Sequence, residues 1–125
     1  MRRLFFAAGL LAVLVSGALA GPLEDGMAAY NRGDYVPAMQ IVRPLAQQGN
    51  AKAQGLIGAM YRRGQGVAKS SAHAFMWLSL ASARGDAKAK SELHEVSQSM
   101  TGEELAQARE MIQACEASNY RSCEY

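Results

Sequence analysis

The sequence predicts an all-α protein built from helical hairpins that repeat and stack as a short solenoid. Three observations carry that expectation. Segments recur: GMAAYNRGDY from Gly26 echoes GAMYRRGQGV from Gly58, and QQGNAKAQ from Gln47 echoes ARGDAKAK from Ala83. Within each unit, apolar residues return at spacings of three and four, the period of one helix face. Each unit closes on a glycine followed at once by a good N-cap residue, Gly49–Asn50 and Gly85–Asp86. Such a pair ends one helix and opens the next, so neighbouring helices run antiparallel.

The chain of 125 residues opens with what reads as an export signal over residues 1–20. Arg2 and Arg3 precede the apolar run LFFAAGLLAVLV, and Ala18 and Ala20 flank Leu19 in a small-residue cleavage pattern. The alternative is a retained anchor, but the apolar stretch Leu4–Ala20 is at the short limit for spanning a bilayer. Gly21, not a cysteine, stands directly after the cleavage point, which argues against a lipoprotein. No stable membrane insertion is expected once the signal is removed.

Six helices are expected in residues 21–125, at about 23–32, 35–48, 51–63, 71–84, 87–99 and 102–117. Residues 21–49 form a shortened first unit. Pro37 suits the first turn of the second helix, whereas Pro44 lies inside it and should kink it. Asn50 caps the third helix, where Ala53, Leu56, Ile57, Met60 and Tyr61 make the expected buried stripe. Gly58 lies inside that helix at a cost of about 1 kcal/mol against alanine, so it is expected to admit a neighbouring helix. Gly64 ends the helix, and Gly66 gives the following loop a bend. Ser70 or Ser71 caps the fourth helix, with a stripe of Ala74, Trp77, Leu78 and Ala81. Thr101 with Glu104 forms a capping box for the last helix. Tyr30 and Tyr61 stand 31 residues apart, Gly49 and Gly85 36 apart. The extra residues fall in GQGVAKSS, a loop between two helices, where a helical-hairpin repeat tolerates insertion.

Removing residues 1–20 leaves 11 basic and 11 acidic residues. A net charge of zero gives no basic footprint for nucleic acid, and none is expected as a partner. The distribution is uneven: residues 52–90 carry +6, residues 91–125 carry −5. The basic middle is either a solvated face or the face turned towards an acidic partner. Cys115 and Cys123 are the only cysteines, and in an exported chain they most simply form one disulfide.

Motifs that would carry chemistry are incomplete. GQGVAK places Lys69 where a dinucleotide loop needs its third glycine, and it follows a helix instead of a strand. No serine has lysine three residues on, as an acyl-enzyme serine would. HEVSQ at His94 begins like a zinc-binding helix but has Gln98 at the second ligand position. His73 and His94 are expected as rim residues. Glu103 and Glu104 are expected as a helix-start pair favoured by the macrodipole, and Trp77 as core. No catalytic, metal or cofactor residue is assigned.

AKAQGLIGAMYRRGQGV at Ala51–Val67, followed by Ala74, Trp77 and Gly85, resembles the Sel-one-like repeat, a relative of the tetratricopeptide repeat. Gly58, Met60, Tyr61, Gly64, Gly66 and Val67 match its pattern, while Ile57 stands where leucine is commoner. The resemblance is densest over the second repeat, residues 50–85, and weakest over 21–49. Residues 86–117 look like a capping helix pair, with a tail at 118–125. The resemblance implies a right-handed solenoid whose motif residues serve packing. It also implies an adaptor or scaffold that binds another protein or peptide, in bacteria often exported to the periplasm or beyond and tied to envelope processes. On that reading, Lys52, Arg62, Arg63, Lys88 and Lys90 are the partner-binding candidates, since first helices line the concave face. The alternative is an envelope enzyme or a binder of cell-wall fragments using the inner groove.

Overall fold

The computed structural model describes residues 21–123; the expected export signal lies outside them. Six helices follow one another: α1 (Pro22–Asn31), α2 (Tyr35–Gln47), α3 (Ala51–Arg63), α4 (Ser71–Ala83), α5 (Ala87–Ser99) and α6 (Gly102–Ala117). There is no strand among the described residues. Every helix begins and ends within one residue of its expected position, because the signals are local. Asn50, Ser70, Asp86 and Thr101 each accept a hydrogen bond from the backbone N–H three residues on, at the starts of α3 to α6. Glu104 returns the bond to the Thr101 N–H, completing the capping box.

Consecutive helices pack as hairpins from α1 through α5, and α3 also touches α5. This is an all-α fold of stacked helical hairpins. The last pair differs from a simple hairpin: α6 lies on α4 and makes little direct contact with α5. The cause is the composition of α4, SAHAFMWLSLASA, which has no charged residue. Met76 and Leu80 are buried along with the expected Ala74, Trp77, Leu78 and Ala81. A helix apolar on all sides must be covered on all sides, and α3, α5 and α6 together cover it.

Two glycines set the spacing within the hairpins. A Cβ on Gly58 would meet Leu78 of α4, and a Cβ on Gly26 would overlap Val42 of α2. The same device thus recurs in both hairpins, a missing side chain on the first helix that seats an aliphatic one from the second. Met60 and Tyr61 are buried beside Gly58, and Tyr61 stacks on His73 with ring centroids 4.8 Å apart. Gly64 takes the left-handed conformation, and the loop returns to the Tyr61 carbonyl through the Ser70 N–H. Val67 packs against the core from that loop.

Pro44 lies inside α2, which nevertheless continues to Gln47. Proline removes the N–H that would bond the Gln40 carbonyl. Both residues are exposed, on the side of α2 away from the buried Ala38, Met39, Val42 and Ala46. Cys115 and Cys123 are bonded to each other, and both are buried. The bond folds the tail back on α6, where Tyr120 receives the Arg84 guanidinium over its ring at 4.8 Å.

Candidate functional site

One face of α3 carries Lys52, Gly55, Leu56, Ala59 and Arg63, at helical spacing. The opposite face, Ala53, Ile57, Met60 and Tyr61, is buried in the core. Leu56 is the exception to the expected buried stripe: it is only half-buried and looks into an open groove. The small residues Gly55 and Ala59 make that groove concave. Met27 and Tyr30 from α1 form one wall, and Lys88, Ala89 and Glu92 from α5, with its cap Asp86, form the other. The groove therefore runs across the first helix of each successive pair. Its volume is about 270 Å³, just below the range usual for enclosing a small molecule. Met27 is 44% exposed at its edge, an adaptable apolar contact.

The polar groups sit at defined depths. Arg63 donates through Nη1 to the Tyr30 hydroxyl at 2.9 Å, and Tyr30 donates to Gln65 Oε1 at 2.8 Å. This chain ties α1, α3 and the loop after α3 together at one end. The other Arg63 terminal nitrogen, Nη2, lies 3.9 Å from Glu92 Oε1, beyond hydrogen-bonding distance. Glu92 is only 7% exposed, and its Oε2 has no hydrogen-bond partner. Asp86 spends Oδ1 on the Ala89 N–H.

The structure divides the five candidate cations. Lys52, Arg63 and Lys88 line the groove. Arg62 lies outside it, held by Glu95 at 2.6 Å, and Lys90 is exposed outside it as well. Lys52 and Lys88 make no ion pair among the described residues, and both are exposed. Glu92 is a groove residue that no sequence motif singles out. The signal that marks it is its register: Glu92 lies three residues after Ala89 and four before Val96, on the buried stripe of α5.

Among the described residues no group of three or more His, Cys, Asp or Glu is placed to hold a metal ion. His94 is exposed beside Gln98, and His73 is held between Ser70 and Tyr61. Trp77 is fully buried and offers no face to a sugar. No family model matches the chain, and no curated protein matches it.

Proposed function

We propose that this chain is an exported Sel-one-like repeat module that acts as an adaptor, binding a peptide segment of another protein along the groove across α1, α3 and α5. One observation carries the reading: the groove is open and apolar-floored, and its walls come from the same helix of successive pairs. A groove of that kind, floored by apolar side chains and spanning three helices, suits an extended chain. Export is supported by the basic-then-apolar start of the sequence and by the disulfide. None of the described helices is long and apolar enough to cross a membrane.

Photocrosslinking in the cell envelope tests this reading. A photoreactive phenylalanine analogue replaces Leu56 in the groove, or Gln113 on the exposed side of α6. Position 56 is expected to capture a polypeptide that position 113 does not. Capture of glycan material alone, or equal capture at both positions, would favour the cell-wall or enzyme alternative.

A further inference from the structure

We propose that the groove reads its peptide at two points: an acidic side chain taken between Lys52 and Lys88, and a neutral amide N–H taken by the carboxylate of Glu92. The inference rests on the adaptor reading and names the chemistry of its ligand.

Glu92 is the first observation. Its side chain is 10% exposed, and it lines the groove, yet Oε2 accepts no hydrogen bond. A carboxylate offers about four acceptor positions, and leaving them empty away from water is unfavourable. The fold does not ask for a charge here, since an aliphatic residue would complete the stripe of Ala89 and Val96. The unfilled acceptor is a place for a donor that arrives with a ligand. Oε2 is covered as it stands. The last torsion of a glutamate is soft and roughly two-fold, so a turn about it presents either oxygen to the groove.

Lys52 and Lys88 are the second observation. Each is the second residue of its helix, and neither α3 nor α5 has an acidic residue in its first turn. A cation there faces the positive end of the helix dipole. Helices α1 and α6 follow the favourable rule, with Glu24 and Asp25, and Glu103 and Glu104, in their first turns. Helices α2 and α4 also lack an acid in the first turn, but α3 and α5 alone place a lysine there; both lysines border the groove, and neither has an ion-pair partner among the described residues.

Charge decides what each point accepts. The lining holds three cations, Lys52, Arg63 and Lys88, against the carboxylates Asp86 and Glu92. A ligand cation at Glu92 would stand beside Arg63 and meet like charge. A neutral donor meets none, and a ligand carboxylate meets two unpaired lysines. Lys88 and Glu92 are one helical turn apart, about 6 Å. An extended peptide advances about 3.3 Å per residue. Where the bound segment follows the α5 wall, the acidic side chain and the donated amide are about two residues apart.

The test uses the protein purified from cells that export it. A phage-displayed library of linear seven-residue peptides is panned on it, with counter-selection on an Ala59→Trp variant whose groove is filled. Enriched peptides are expected to carry Asp or Glu at one position. Their synthetic forms should bind at least tenfold more weakly to Lys52→Glu/Lys88→Glu. Binding to Glu92→Leu should fall at least fivefold with the fold intact by circular dichroism, and Lys90→Glu should bind as the parent does. N-methylation of one amide about two residues from the acid should weaken binding to the unaltered protein, a readout independent of any variant's folding. Groove-dependent peptides that lack an acid, or that ignore both Glu92→Leu and N-methylation, overturn this inference and leave the adaptor reading standing. A library that yields no groove-dependent peptide overturns both.

Discussion

Leu78 of α4 occupies the space that a side chain on Gly58 of α3 would need. A Cβ built on Gly58 stands 2.6 Å from Leu78 Cγ and 3.1 Å from the Leu78 backbone nitrogen. The backbone contact matters more, because a side chain can turn away and a helix cannot. Gly58→Ala gains under about 1 kcal/mol of helix propensity and overpacks a close contact at about 1–3 kcal/mol. A net loss of stability is expected in urea unfolding, and a larger one for Gly58→Leu. An unchanged or raised midpoint would mean that α4 backs away freely.

Gly66 combines two demands. Its φ is +72°, and a Cβ there would lie 2.8 Å from the Tyr35 carbonyl. Left-handed backbone alone costs a non-glycine residue about 1–2 kcal/mol. Gly66→Ala should exceed that figure in the same unfolding assay, because the loop must also lift off the start of α2. A loss below about 1 kcal/mol would show that the loop moves without resistance.

The Cys115–Cys123 bond should be found within one chain. Non-reducing mass spectrometry should return the linked peptide from a monomer. Replacing both cysteines by serine should cost about 2–3 kcal/mol in the chain-entropy account of a short loop. It should also release Tyr120 from Arg84, which a change in tyrosine fluorescence would register. A disulfide-linked dimer would contradict the assignment.

Glu92→Leu should make the protein more stable while weakening its binding. Removing a buried acceptor with no partner relieves roughly 1–3 kcal/mol of desolvation, and Arg63 keeps its bond to Tyr30. A raised melting temperature is expected. A fall of several degrees would show that the 3.9 Å Arg63–Glu92 contact holds α3 and α5 together.

If the proposed export signal is cleaved, N-terminal sequencing of the protein recovered from the cell envelope should begin at Gly21, just past the Ala18–Ala20 pattern. Full-length protein held in the membrane would mean that the apolar start serves as an anchor.

The sequence by itself determined the helices, their caps and the hairpin reversals. These depend on groups within about four residues of each other, such as Asn50 with the Ala53 N–H and Thr101 with Glu104. It also disclosed Gly58 as a close approach and the two cysteines as a pair, because each is costly or reactive without such a role. The tertiary structure alone decided where α6 lies, which way Leu56 faces and which cations are free. Gly55 and Ala59 are small enough for either face of α3, so periodicity could not assign Leu56 to core or groove. Arg62 and Arg63 are adjacent in sequence, yet one is held by Glu95 and the other lines the groove. Those outcomes depend on how α1, α3 and α5 dock, and docking sums contacts between residues some thirty positions apart that no local pattern records.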